Sequence, residues 1–286
     1  MTITEQAVMF SCAEENLVGI CAIPELPRET GVLFVVGGPQ YRVGSHRQFL
    51  LLSRQLAEAG YPTMRFDFRG MGDSPGDLRD FEAVEIDIGS ALDIFFVTCP
   101  QINRVVLWGL CDAASASLLY WETTRDRRVS GLVLLNPWIR SEGTLARAHI
   151  KHYYGKRLLQ VEFWRKLLTG NLGFWQAASG LFSNVKKAHQ VNSPSARNET
   201  LSFQEKMLRG LQTFPGGVLT VLSGNDYTAK EFLEAVHADP AWTYAMRQPK
   251  VTQVNLPEAD HTFSSAEWRG QVENVTKHWL EMEAGK

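Results

Sequence analysis

Short apolar runs alternate along the chain with segments in which apolar residues recur at helical spacing. Residues 31–38 form a continuous apolar run that ends in two glycines, as expected of a strand buried on both faces. Residues 45–59 then place apolar side chains at helical intervals, and the alternation continues to the carboxyl end. The predicted strands are 31–38, 61–68, 104–110, 131–136, 217–223 and 251–256, and the predicted helices are 45–59, 81–99, 112–122, 228–238 and 266–282. This order predicts an α/β fold, a mostly parallel twisted sheet with helices on both faces.

Two segments depart from this alternation. Apolar-rich residues 6–12 and 16–24, separated by a turn-like stretch, predict an amino-terminal β-hairpin. Residues 138–214 show helical patterning without a clear strand. We interpret them as a helical cap inserted over the carboxyl-terminal edge of the sheet, where open α/β sheets bind ligands. The predicted domains are therefore a core, 1–137 and 215–286, and a cap, 138–214.

Composition narrows the class of protein. The 286 residues are 44% hydrophobic and 21% charged, which is typical of a well-cored globular protein. A net charge of −2 argues against a general nucleic-acid binder, and no apolar run is long enough for a membrane span. The amino terminus resembles no secretory signal, and the four cysteines lack CxxC spacing. We therefore expect a cytoplasmic protein.

The strongest chemical signal is a cysteine between a predicted strand and a predicted helix. Apolar residues 105–108 run into Gly109-Leu110-Cys111-Asp112-Ala113 and directly into the helix. This context is typical of a nucleophile elbow, in which small residues let the strand and the helix approach closely. A helix N-terminus beside the thiol favours the thiolate. The alternative is that Cys111 is simply a small buried apolar residue.

A nucleophile of this kind needs a base and a group that orients the base. Asp226 follows the strand 217–223, and His261 follows the strand 251–256. Carboxyl ends of parallel strands share one edge of the sheet, so both residues are expected near Cys111. Asp260 is a weaker candidate for the acid, because neighbouring side chains usually point apart. The preceding strand offers only Asn136 at the equivalent position.

Two further motifs follow the first two parallel strands: Gly37-Gly38-Pro39 after the first, and Asp67-Phe68-Arg69-Gly70-Met71-Gly72-Asp73-Ser74 after the next. Together with Cys111, Asp226 and His261, they resemble the α/β-hydrolase superfamily over nearly the whole chain. More narrowly, residues 36–49 and 109–115 resemble the hydrolase 1 group associated with exosortase A systems. That group accompanies bacterial exopolysaccharide and protein-sorting loci, so the likeness implies a genomic context more than a substrate. The superfamily resemblance implies the α/β-hydrolase fold and no cofactor.

The resemblance also implies an oxyanion hole built from backbone amides. One donor is the N–H after the nucleophile, that of Asp112, and the other comes from the loop after the first parallel strand. Pro39 has no N–H, so Gly38 is the expected second donor, with Gln40 in reserve through its backbone or side-chain amide. Asp67 is expected to anchor its loop without a direct part in the chemistry.

Substrate contacts are harder to predict. Arg42, His46 and Arg47 near a helix start offer a site for a carboxylate or phosphate, although capping and solvating the helix explains them as well. Residues 138–190 carry nine Lys and Arg against two Glu, so the cap either attracts an anionic acyl donor, such as a coenzyme A or carrier-protein thioester, or balances the acidic core. Trp138 is a candidate roof of the pocket. His149 and His152 lack a carboxylate at ligand spacing, so no metal site is predicted.

We therefore expect an acyl hydrolase of the esterase or thioesterase type. Cys111, His261 and Asp226 would act through a covalent acyl-cysteine on a small-molecule ester or thioester. Two alternatives stay open at this stage. One is an acyltransferase that passes the acyl group to an alcohol or amine, and the other is a non-catalytic binding protein on the same scaffold, which predicts a broken triad or a blocked oxyanion hole.

Overall fold

A single eight-stranded sheet forms the centre of the molecule. The structure is a computed structural model, and it describes residues 2–38, 40–140 and 201–284. The strands are β1 (Ile3–Cys12), β2 (Glu15–Pro24), β3 (Thr30–Val35), β4 (Thr63–Phe66), β5 (Arg104–Leu110), β6 (Val129–Leu135), β7 (Gly217–Asn225) and β8 (Val251–Asp260). They lie in the order β1-β2-β4-β3-β5-β6-β7-β8. The pairs β1–β2 and β2–β4 are antiparallel and all other pairs are parallel, which confirms the predicted hairpin and mostly parallel sheet.

Helices connect the parallel strands. They are α1 (Gln48–Glu58), α2 (Glu85–Thr98), α3 (Asp112–Thr124), α4 (Phe203–Thr213), α5 (Tyr227–Ala238), α6 (Pro240–Met246) and α7 (Ala266–Ala284). The predicted helix 81–99 is interrupted, because a 3-10 turn at Phe81–Ala83 precedes α2. Helix α6 was not predicted, since seven residues are too few for a clear periodic pattern.

Both faces of the sheet are covered. On one face, Trp108 of β5 stacks edge-to-face on Phe49 of α1, with ring centroids 5.4 Å apart, and its indole N–H donates to the hydroxyl of Thr276 in α7 at 3.4 Å. On the other face, a Cβ added at Gly31 would lie 2.7 Å from the ring of Phe95 in α2. Strands β3 and β5 to β7 are accordingly almost wholly buried, as their continuous apolar runs predict.

Met1–Ile139 and Leu201–Lys286 form one compact unit. This unit takes in residues 201–214, which the sequence assigned to the cap. Helix α4 packs on α3, where Arg209 pairs with Glu122. The rest of the predicted cap, with His149 and His152, lies almost entirely outside the described residues. No helix within the described ranges combines the length and the apolar character needed to cross a membrane.

Candidate active site

Cys111 lies immediately after β5, at the carboxyl-terminal edge of the sheet. Its backbone has φ 63° and ψ −124°, a conformation that L-residues rarely adopt and that costs about 1–3 kcal/mol. The Cys111 N–H donates to the Leu135 carbonyl at 2.8 Å, and the Cys111 carbonyl accepts from the Trp138 N–H at 3.2 Å. The end of β6 and the residues after it thus hold the strained turn. Cys111 is half-buried, whereas Cys12, Cys21 and Cys99 are buried.

The turn also depends on a small residue at position 109. A Cβ added at Gly109 would lie 2.6 Å from the backbone of Ala113 in α3, closer than side chains pack in folded proteins. The strand and the helix can therefore meet at this distance only with glycine, as the elbow pattern predicts.

Asp226 and His261 follow β7 and β8 at the same edge of the sheet. Asp226 is the N-cap of α5, where Oδ1 accepts from the Thr228 N–H and Oδ2 from the Ala229 N–H, each at 3.1 Å. The Asp226 Oδ2 also lies 2.9 Å from the His261 Nδ1. Burial alone would raise the pKa of Asp226, but the bond to His261 and the two amides together lower that pKa below its ordinary value.

The imidazole of His261 bridges the carboxylate and the thiol. The hydrogen bond to Asp226, then the hydrogen bond to Cys111, raise the pKa of His261 to about 10 against the opposing effect of burial. The ring therefore carries a proton at neutral pH. The structure brings Cys111, His261 and Asp226 into one contiguous group.

The two other positions considered for the acid, 260 and 136, make different contacts. The Asp260 carboxylate turns away to accept from the N–H of Ser264 at 2.9 Å and from its hydroxyl. Asn136 instead braces the neighbouring loops. Its Oδ1 accepts from the Ser223 N–H at 2.9 Å, and its Nδ2 donates to the Ser223 hydroxyl at 2.7 Å and to the His261 carbonyl at 3.1 Å.

From the sequence, position 136 matters only as a place for the acid, and it holds none. The signal for its actual contacts is an asparagine at the end of a buried strand. This residue type tolerates a positive φ, here 44°, and carries both a donor and an acceptor.

One of the two amides expected to form the oxyanion hole, that of Gly38, is occupied. The Gly38 N–H donates to Oδ2 of Asp112 at 2.8 Å, and the Ala113 N–H donates to Oδ1 at 3.0 Å. The side chain of Asp112, one residue after the nucleophile, thus takes the place of an oxyanion. From the sequence, only the backbone N–H of this residue has a predicted part in the site.

Gln40, the reserve donor, is engaged through its backbone amide and its side-chain oxygen. Its backbone N–H donates to the Gly38 carbonyl at 2.8 Å, and its side-chain Oε1 accepts from the Ser45 N–H at 3.2 Å. The backbone amide is therefore engaged within the loop, and the side chain is held at the start of the next element. Pro39 lies outside the described residues.

Arg42, one of the candidate anion-binding residues, is already paired with two carboxylates. The Arg42 guanidinium pairs with Asp67 and, at 2.7 Å, with Asp73, so its charge is already compensated within the loop. Asp67 is buried and also accepts the backbone N–H of Arg42 at 2.6 Å and of Asp73 at 3.0 Å, which is the anchoring role expected of it. His46 and Arg47 are exposed in a 3-10 turn with positive φ, apart from the cavity described below.

Trp138 contributes to the site through its backbone. Its N–H braces Cys111, and its carbonyl accepts from the Ser115 hydroxyl at 2.6 Å. The Trp138 residue is half-buried. That the Trp138 side chain covers a pocket stays a prediction, because residues 141–200 lie outside the described part of the chain.

A cavity of about 310 Å³ opens beside Gly38 and Asp112. This volume is at the lower end of the roughly 300–1,000 Å³ typical of small-molecule sites. Apart from the glycines and Asp112, its lining is mostly apolar, with two charged residues on the loop before α2. The lining residues are Gly37, Gly38, Phe68, Met71, Leu78, Arg79, Asp80, Phe81, Val84, Asp112, Ala113 and Ala116.

Comparison with known proteins adds a family and a fold. The sequence model of the alpha/beta hydrolase family matches residues 32–272. An esterase from Pyrococcus furiosus is similar in structure, with a TM-score of 0.65, 15% identity, and coverage of 98% of this chain and 91% of that one. Est1E from Butyrivibrio proteoclasticus, solved with ferulic acid bound, has a TM-score of 0.63 and 16% identity over 98% of this chain and 100% of its own.

A thermophilic esterase from Thermogutta terrifontis, solved with malate bound, has a TM-score of 0.58 and 18% identity over 97% of this chain and 98% of its own. No curated protein is significantly similar in sequence. At these identities the likeness establishes the α/β-hydrolase fold and leaves the chemistry to be argued from the site.

Proposed function

We propose that this chain, which belongs to the alpha/beta hydrolase family, is an acyl hydrolase of the esterase or thioesterase type. Cys111 is the proposed nucleophile, His261 the acid–base group and Asp226 the residue that orients it. The observation that carries the proposal is the 2.9 Å contact between Asp226 and the His261 Nδ1, with the imidazole bonded in turn to a cysteine at a strained strand–helix turn. A buried structural cysteine would need none of these three features.

In the proposed reaction His261 either deprotonates the Cys111 thiol or holds it as a thiolate–imidazolium pair. The Cys111 sulfur attacks the carbonyl carbon of an ester or thioester and forms an S–C bond while the carbonyl π electrons move to oxygen. When the tetrahedral intermediate collapses, the bond to the leaving group breaks, and the departing alkoxide or thiolate takes the proton from His261. The product of this half-reaction is an acyl-cysteine thioester.

Water completes the proposed cycle. Neutral His261 accepts a proton from water as the water oxygen attacks the acyl-cysteine, and collapse releases the carboxylic acid and returns Cys111 as a thiolate. Asp226 fixes the ring so that Nδ1 faces the carboxylate and Nε2 faces the reacting atoms. The N–H groups of Gly38 and Asp112 are the proposed oxyanion donors, a contribution of roughly 3–4 kcal/mol per donor in well-measured cases.

The cavity supports an apolar acyl chain as the substrate group. It begins at the proposed donors and is lined by phenylalanine, methionine, leucine and valine side chains. Coenzyme A and carrier-protein thioesters remain candidate donors on the strength of the basic stretch in residues 138–190. The association with exosortase A systems and a cytoplasmic location stay predictions from the sequence.

One observation favours a second candidate, a ligand-binding protein without turnover. A non-catalytic relative predicts a blocked oxyanion hole, and the Asp112 carboxylate occupies the Gly38 amide. The triad argues the other way, since a binding protein has no need of an imidazole held between a carboxylate and a thiol.

Intact-mass spectrometry after brief incubation with acyl thioesters of increasing chain length tests the proposal. We expect a mass increase equal to one acyl group, lost in Cys111→Ala and retained in Cys99→Ala, which removes a buried thiol instead. Decay of the adduct in water supports hydrolysis, whereas decay only after an amine or alcohol is added points to acyl transfer. Absence of both adduct and turnover across the panel, with ordinary thiol reactivity at Cys111, would favour the binding protein.

A further inference from the structure

The anion-binding end of the proposed active site is filled by the protein itself. Oδ2 of Asp112 accepts from the Gly38 N–H at 2.8 Å, and Oδ1 accepts from the Ala113 N–H at 3.0 Å. The loop after β3 passes so close that a Cβ added at Gly37 would lie 2.0 Å from Oδ1. A carboxylate is a good mimic of the oxyanion, because both present negative oxygen to backbone N–H groups at a helix N-terminus.

This contact differs from ordinary helix capping. The N-cap of α3 is Cys111, which makes no side-chain cap, and Asp112 is the first residue of the helix. Its carboxylate reaches out of the helix to the Gly38 amide, which belongs to a separate loop and is one of the two proposed oxyanion donors. A carboxylate and an oxyanion cannot both accept from that N–H in the same place.

Burying the Asp112 carboxylate has an electrostatic cost. Burial raises the pKa of Asp112 above its ordinary value, even though amides of Gly38, Ala113 and Asp112 itself act in the opposite direction. The charged carboxylate therefore loses more from leaving water than it regains from the three amides. Asp112 also lines the open cavity beside the hole, so the side chain has room to turn out.

We propose that Asp112 controls access to the oxyanion hole, so that its carboxylate must leave the Gly38 amide before a substrate carbonyl can be activated. This inference rests on the proposed function, because it concerns the same donors. Its consequence is that a side chain without the carboxylate makes the enzyme faster, since the backbone N–H groups remain whatever residue follows Cys111. Removal of an ordinary catalytic residue would have the opposite effect.

An aldehyde with a medium-length alkyl chain is a direct probe of the hole. It adds reversibly to the Cys111 thiolate: an S–C bond forms and the carbonyl π electrons move to oxygen. The product is the alkoxide of a hemithioacetal, whose negative oxygen needs the same amides. Its affinity is measured by titration with aldehyde carrying ¹³C at the carbonyl carbon. Alkylation of Cys111 by iodoacetamide, which forms no oxyanion, reports the thiol separately.

We expect Asp112→Ala to bind the aldehyde about tenfold more tightly and to acylate about tenfold faster, the factor that corresponds to roughly 1.4 kcal/mol of relieved competition. Iodoacetamide alkylation should change by less than about twofold. Asp112→Asn keeps the shape without the charge, guards against a folding defect in the alanine variant, and should change in the same direction. Glu267→Ala, which removes an exposed acidic residue from the first turn of α7, should leave all three measurements unchanged.

The outcomes separate the two proposals. Aldehyde affinity and acylation that stay equal or fall in both Asp112 variants, while the parent protein acylates normally, overturn the role of Asp112 and leave the hydrolase standing. Acylation that is seen only in the Asp112 variants supports that role and identifies the parent protein as held in the occupied state. Absence of aldehyde binding and acylation in every variant, with Cys111 still alkylated, overturns both.

Discussion

Asn136 offers the sharpest test of how the site is held. In Asn136→Ala the Ser223 N–H and the His261 carbonyl both lose their side-chain partner in a buried setting. An unsatisfied buried group costs about 1–3 kcal/mol, and alanine at a φ of 44° adds roughly 1–2 kcal/mol. The two groups and the strain together give an expected loss of about 3–8 kcal/mol in the free energy of unfolding.

The effect on chemistry should exceed what stability alone explains. The Asn136 side chain links the loop that carries His261 to β7, so its loss lets the imidazole drift from the thiol. A displacement of about 1 Å can cost roughly 100-fold in rate, and we expect acylation of Cys111 to fall by about that factor in protein that is still folded. Urea unfolding and the intact-mass assay measure the two quantities on the same samples.

Two matched variants make the result interpretable. Asn136→Gly removes the same hydrogen bonds but accepts the positive φ without strain, so its remaining loss belongs to the side chain. Asn225→Ala removes an exposed amide that donates to the Glu258 carbonyl at 3.1 Å, and it should change stability by less than about 0.5 kcal/mol. If Asn136→Ala unfolds and acylates like Asn225→Ala, the argument from buried hydrogen bonds is refuted.

Three further predictions concern the site and its support. Asp226→Asn should lower the pKa of His261 from about 10, because the Asp226 hydrogen bond is its largest cause, and an NMR titration of the imidazole with an unchanged midpoint would contradict this. The stability that comes from this raised pKa is fully present below about pH 6.5 and lost as the pH rises through about 10, so alkaline pH should weaken the parent more than the variant in urea unfolding. Asp87→Ala removes the carboxylate that the buried Arg69 guanidinium contacts at 2.7 Å. Because a buried charge is left without its partner, urea unfolding should show a loss of roughly 3–5 kcal/mol in the free energy of unfolding. A loss under about 1 kcal/mol would count against this prediction. Gly109→Ala forces a Cβ against the backbone of α3 and should cost about 3 kcal/mol or prevent soluble expression, whereas a stable variant would show that the turn can widen.

The sequence predicts most of this fold because periodicity and strand order are local signals. Continuous apolar runs such as residues 104–110 are typical of the buried strands of a parallel sheet. Cys111, Asp226 and His261 each follow such a strand, so they come together at one edge of the sheet. What it leaves out is the direction of side chains within loops. The carboxylate of Asp112 turns towards Gly38 only because the loop after β3 passes within reach, and no local pattern encodes that distance.

The same limit applies to Arg42. An arginine near a helix start is as suitable for a phosphate as for an internal carboxylate. Asp67 competes for it from a position 25 residues away, through a contact that only the folded chain reveals. The hydrogen bonds of Asn136 cannot be predicted from local sequence for a related reason. Its partners are Ser223 and the His261 carbonyl, which lie far from it in sequence.

Asp226 serves the fold as well as the proposed chemistry, because its carboxylate begins α5 while it holds His261. A descendant of this protein that abandoned catalysis would still be selected to keep an aspartate there, since a lost N-cap costs about 1 kcal/mol. His261 has no such second use among its described contacts. When related sequences are sorted into active and inactive enzymes, loss of the histidine is therefore the informative difference, and retention of the aspartate says little.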